Sequence, residues 1–173
     1  MLAAQQGRGN QAIENFKKSV SLRPNYAVAL VNLGNVYRRQ KSFSEAEKAL
    51  SQALEIEPND PDANYSLGML YAQQGQVPRA EQYLQRAADL RPGYPDALNN
   101  LGVLFVHEQR YPEAELKFKN CIEAAPEFDQ AYLNLARLYV ILNDKEKARA
   151  VLQALLREQP QHKMAQQALE MLN

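Results

Sequence analysis

The chain has 173 residues, 46% hydrophobic and 23% charged, an ordinary balance for a folded protein that leaves no room for a disordered one. Its 20 Lys and Arg cancel its 20 Asp and Glu, so it lacks the basic excess of a nucleic-acid or membrane-surface binder. A lone Cys121 excludes an intramolecular disulfide and a thiolate metal cluster, and no apolar run approaches the roughly 18 residues a bilayer span needs. The opening "MLAAQQGRGNQ" shows no charged-then-apolar signal peptide.

Residues 1–26 read as the second helix of a helical pair, closed by Pro24, with "MLAAQQ" as the stub of a first helix and Gly7 in the turn. Residues 27–60 form a complete pair. Leu30, Leu33, Gly34 and Tyr37 stand three and four apart and share one helix face. Ser42 and Glu45 have the spacing of a capping box ahead of the second helix, whose buried stripe is Ala46, Leu50, Ala53, Leu54 and Ile56. Pro58 stops that helix, and Asp60 before Pro61 supplies the cap and first turn of the next one.

The same sentence is then repeated. Pro24, Pro58, Pro92, Pro126 and Pro160 lie 34 residues apart, as do Leu33, Leu67, Leu101 and Leu135. Gly34, Gly68 and Gly102 keep the step, with Ala136 completing the column, and Tyr37, Tyr71, Phe105 and Tyr139 form an aromatic column. Ala12, Ala46, Ala80, Ala114 and Ala148 form another, followed by Phe16, Leu50, Leu84, Phe118 and Leu152. Columns in register without an insertion define an array with units at 27–60, 61–94, 95–128 and 129–162. Pro78 and Pro112 share a column where a first helical turn tolerates the missing N–H. A glycine inside a helix costs about 1 kcal/mol relative to alanine, which implies that another helix approaches closely there.

The last unit is irregular, with Leu155 where Ala is usual and Glu158 where Ile56 and Leu90 stood. Residues 163–173, "KMAQQALEMLN", match a first helix, with Leu169 in the leucine column, and read as a capping helix. Because the array opens in mid-unit, the chain is expected to be a piece of a longer protein, a frayed natural cap being the alternative.

A 34-residue helix–turn–helix carrying Leu33, Gly34, Tyr37, Ala46, Leu50, Ala53 and Pro58 resembles the tetratricopeptide repeat family, over nearly the whole chain. The family's frequent Trp is replaced by Leu30, Asn64, Leu98 and Tyr132. The resemblance implies an all-α solenoid, a right-handed superhelix whose first helices line a concave peptide-binding groove. Carried over by column, that groove comprises Asn32, Asn35, Arg38 and Arg39; Tyr65, Ser66 and Met69; Asn99, Asn100, Val103 and His107; and Leu133, Asn134, Arg137 and Ile141. The row Asn32, Ser66, Asn100 and Asn134 resembles the "NLG" asparagine ladder in the repeat arm of O-linked N-acetylglucosamine transferases. Its amides either hold a peptide backbone or bond within the groove wall. Val31, Ser66 and Asp96 stand where the chaperone-tail clamp of the family requires Lys, Asn and Lys, so that subclass is excluded.

The groove also changes character along the array, from Asn32, Asn35, Arg38 and Arg39 to Val103, Val106, Leu133, Val140 and Ile141 around Arg137. An apolar partner segment with a carboxylate on Arg137 is one expectation; cover by the capping helix, through Met164, Ala168 and Met171, is the other. For catalysis there is no constellation. His107 and His162 are far apart in sequence, Cys121 sits in a small-residue packing column, and Glu45, Glu47, Glu55 and Glu57 read as solvated helix charges. The expected function is a non-catalytic protein- or peptide-binding scaffold without cofactor, nucleic acid or membrane insertion. The alternative is the substrate-recruiting arm of a larger enzyme such as a glycosyltransferase. Self-association through the exposed ends of the array is a further expectation.

Overall fold

The computed structural model describes the backbone of residues 2–172 and the side chains of residues 9–172. Among the described residues there are ten α-helices: α1 (Leu2–Leu22), α2 (Ala27–Arg39), α3 (Phe43–Ile56), α4 (Pro61–Gln73), α5 (Val77–Leu90), α6 (Pro95–His107), α7 (Tyr111–Ala124), α8 (Asp129–Ile141), α9 (Lys145–Glu158) and α10 (Lys163–Met171). They divide into two compact units, Met1–Arg91 and Pro92–Asn173. In each, helical hairpins stack so that a first helix lies beside both its own second helix and the first helix of the neighbouring hairpin: α2 beside α4, and α6 beside α8.

Two kinds of turn join the helices, and each follows from local chemistry. After a second helix, the proline column takes the second position of a β-turn. The N–H groups of Tyr26, Asp60, Phe128 and His162 reach back to the carbonyls of Arg23, Glu57, Ala125 and Gln159 at 3.0–3.2 Å, where proline's fixed φ is already suitable. Between the helices of a hairpin, the first helix closes in a Schellman motif. Ser42 N–H bonds the Tyr37 carbonyl and Lys41 N–H the Arg38 carbonyl, both at 3.0 Å. The motif needs one residue with positive φ. Gly75 supplies it at 72°, but Lys41, Gln109 and Asn143 adopt 62°, 59° and 57° without glycine's freedom.

Gly7 belongs to that same column, yet α1 runs through it as continuous helix. Within α1 the backbone N–H and C=O groups around Gly7 stay in the helical ladder. The capping box is also corrected: Ser42 occupies the N-cap of α3 but its side chain makes no cap bond. Asp60 does cap α4, its Oδ1 accepting from the N–H groups of Asp62 and Ala63 at 2.7 and 3.3 Å, with Pro61 at the start of the helix.

The glycine column is explained by contact. A Cβ on Gly34 or Gly68 would stand 2.6 or 2.7 Å from Leu50 or Leu84 Cγ, and one on Gly102 would meet the Phe118 ring at 2.5 Å. Leu50, Leu84 and Phe118 are fully buried, so each hairpin closes by seating a large side chain on a glycine. Ala46, Leu50 and Ala53 are buried as expected, while Leu54 and Ile56 are half-buried. In the second unit Leu155 is buried with Tyr132, Ala136, Leu152 and Ala165, filling the space where α10 meets α9.

Candidate functional site

The first unit presents α2 and α4 side by side. The Asn35 amide donates to Ser66 Oγ at 2.9 Å, fastening the two helices together. Arg38 Nη2 reaches Asn35 Oδ1, and Arg39 Nε the Asn35 carbonyl, each at 3.4 Å, the outer limit for such bonds. Ser66 is 2% exposed, whereas Asn32 and Arg39 stand in solvent and Tyr65 and Met69 are half-covered. Burial, above all, holds the Arg38 guanidinium below its ordinary range; Tyr65 opposes that shift and the neighbouring Arg39 charge adds to it.

In the second unit α6 and α8 are fastened by a different pair, the Asn134 amide donating to Asn99 Oδ1 at 2.9 Å. Asn99 is 5% exposed, and Asn100 donates to the Asp96 carbonyl of its own helix at 2.7 Å. Of the asparagine row, then, Ser66 and Asn134 join adjacent helices, Asn100 bonds its own helix, and Asn32 remains exposed. Leu133 packs against the core cluster beneath α10, while Val103 and Val106 are half-buried. Val140 and Ile141 are 50% and 49% exposed, so α10 leaves them uncovered. Arg137 and His107 are exposed.

The fastening pairs cross columns: Asn35 to Ser66 spans 31 residues and Asn99 to Asn134 spans 35. Following each column at a fixed step misses both. The available signal was polar side chains in adjacent columns of neighbouring first helices.

Glu47 also departs from expectation. Its side chain is 38% exposed, but it also accepts from Tyr71 Oη at 2.7 Å and Arg79 Nη2 at 3.1 Å, while the Arg79 guanidinium lies 3.7 Å from the centre of the Tyr71 ring. Two repeats later Glu115 accepts from Tyr139 Oη at 2.8 Å and from Lys119 Nζ at 2.6 Å, with Lys147 over the Tyr139 ring. The Lys119 hydrogen bond, with a smaller contribution from Tyr139, holds Glu115 below its ordinary range; burial and the Glu47 bond push Tyr71 upward. Phe105 has no hydroxyl to offer, so the intervening repeat stacks Arg110 on its ring instead.

Cys121 is a packing residue. Its buried thiol donates to the Pro95 carbonyl at 3.3 Å, and desolvation, with the Asp96 charge, pushes it up to about 12. His162 caps α10: Nδ1 accepts from Ala165 N–H at 3.1 Å, leaving Nε2 to donate to Asp129 at 2.9 Å. Among the described residues no group of three or more His, Cys, Asp or Glu is placed to hold a metal, and no helix is long and apolar enough to cross a membrane.

Comparison with protein families settles the lineage. One family model described as tetratricopeptide repeat matches residues 31–95 and 65–126, more than half of the chain, and two others of the same description match 105–172 and 1–58. The chain belongs to the tetratricopeptide repeat family. No curated protein matches this tetratricopeptide chain. Among solved structures it is similar to MamA, with a TM-score of 0.78 and 23% identity over 92% of this chain and 93% of that one. It is similar to YrrB, described as a tetratricopeptide protein with an unusual peptide-binding site, at 27% identity and a TM-score of 0.71 over 98% and 87%. PilF of Pseudomonas aeruginosa matches with a TM-score of 0.82 and 19% identity over 98% and 77%. These likenesses carry the all-α helix–turn–helix solenoid fold.

Proposed function

We propose that this tetratricopeptide chain is a protein-interaction scaffold that binds an extended peptide segment on its first helices, and that the α8 surface takes apolar side chains of that segment. The observation that carries this reading is the exposure of Val140 and Ile141 beside Arg137 on one helix. Large apolar side chains grouped at a surface are a mark of interaction sites. Arg137 makes no ion pair among the described residues, so a partner carboxylate meets a guanidinium that no neighbour already neutralises. The similarity to YrrB supports the choice of a peptide as partner.

A peptide-array screen with the purified chain, repeated with Arg137→Glu, tests the proposal. Sequences combining aliphatic residues with an acidic residue are expected to bind, and Arg137→Glu to weaken them about tenfold or more, in line with the loss of a charge-assisted bond. Unchanged affinity for every hit contradicts it. Self-association is a second reading, supported by Leu22 at 73% exposure near the start of the chain. Light scattering over a concentration series tests it; a monomer throughout disposes of it.

A further inference from the structure

Among the described residues, α2 of the first unit carries two adjacent arginines and no acidic residue of its own. Arg38 and Arg39 end α2, whose sequence AVALVNLGNVYRR has no carboxylate. The one acidic residue of the adjoining α4, Asp62, is gripped by Arg91 through bonds of 2.9 and 2.8 Å, so it is not available to either of them. Among the described residues Arg38 Nε is buried and finds no hydrogen-bond partner. Its guanidinium is fixed by one bond, at 3.4 Å, to Asn35. A partly buried guanidinium beside a like charge, with an unmet donor, is an expensive arrangement that folding alone does not require.

We propose that Arg38 and Arg39 form a seat for an oxyanion carried by a peptide on the first unit, an aspartate or glutamate carboxylate or a phosphoryl group. The proposal rests on the peptide-binding reading and gives the first unit its ligand chemistry. Arg38 turns its Nε–Nη edge outward, giving up only the long bond to Asn35. That edge then donates two parallel hydrogen bonds to the oxyanion, the geometry guanidinium serves best. Arg39, already exposed, adds the second charge. Asn35 stays fastened to Ser66, so the platform beneath the seat does not move.

The test follows the arginine Nε–Hε NMR signals of the full chain while a blocked, glutamate-rich peptide is added, against its glutamine counterpart. The Arg38 and Arg39 signals are expected to shift saturably with the glutamate peptide and to stay in place with glutamine. Arg38→Gln is expected to weaken glutamate-peptide binding roughly tenfold, and Arg38→Lys to recover part of the loss, because charge returns without the planar fork. If Arg38→Gln melts early, the exposed Arg39→Gln carries the same comparison. A phosphoserine peptide that competes more strongly than glutamate identifies phosphoryl as the preferred source, and weaker competition identifies carboxylate; both support the seat. Equal shifts with glutamate and glutamine, no shift at either arginine, or unchanged affinity in both variants overturns it. Movement at Arg137 alone overturns the seat while preserving peptide binding on α8. If no peptide binds by any signal and the array is blank, the scaffold reading itself has failed.

Discussion

In the column that holds Arg38 in the first unit, the second unit holds Val140, and beside it Arg39 gives way to Ile141. The backbone frame is the same, a thirteen-residue first helix ending in a Schellman turn. What differs is the side-chain pair at the helix end: a partly buried and an exposed guanidinium in one case, an aliphatic pair about half exposed in the other. The fastening below also differs, Asn35 to Ser66 against Asn99 to Asn134. Columns that close the hairpins are held to one chemistry by packing, whereas columns at the surface are free to diverge. Function is therefore to be sought where the repeats disagree.

The largest expected effect lies in a column where they nearly agree. Gly68→Leu forces bulk against Leu84, whose backbone nitrogen is already 3.0 Å from where a Cβ would stand, and is expected to cost about 3 kcal/mol. Ala136→Gly in the corresponding place of the second unit removes no clash and is expected to cost about 1 kcal/mol through helix propensity. Thermal or denaturant unfolding of the two variants checks the difference. Next come the fasteners. Asn134→Ala strands the buried Asn99 carbonyl oxygen and is expected to cost about 2 kcal/mol, while Asn35→Ala leaves a serine hydroxyl that can rotate to a backbone partner and costs about half as much. Equal losses would erase the distinction between the two interfaces.

Smaller effects are expected at helix ends. His162→Ala removes the cap of α10 and is expected to cost about 1 kcal/mol, most of it restored by His162→Asn, read as hydrogen-exchange protection in α10. Gln109→Gly relieves a left-handed residue and is expected to stabilise the second unit by about 0.5 kcal/mol. Acid adds one more contrast. Glu115 is held below its ordinary range in the folded state, so its contribution is complete above about pH 5 and fades as pH falls through its lowered folded value. Glu115→Gln is expected to flatten that part of the acid dependence, measured by unfolding at stepped pH.

Much of the fold was legible because its strongest constraints fall on single residue types at a fixed step. Proline marks the turns between hairpins, and glycine marks the seats for Leu50, Leu84 and Phe118. The left-handed turns at Lys41, Gln109 and Asn143 were less visible, since the packing of the two helices dictates the turn even where no glycine offers it. Gly7 shows the converse: a residue suited to the turn stands within a continuous helix. The candidate surface was legible as a set of columns but not as a set of bonds. Asparagines counted as one row proved to differ in exposure and partner, because neighbouring first helices meet between columns. Glu47 looked like surface charge because its partners, Tyr71 and Arg79, lie on the two following helices.

The most direct measurement places a spin label on a peptide recovered from the array and reads the broadening of methyl signals across the chain. Val106, Val140 and Ile141 are expected to broaden together, and Leu116, exposed on α7, to remain sharp. Broadening centred on Leu116 or Leu22, with the α8 methyl groups untouched, would contradict the assignment of peptide binding to the first helices.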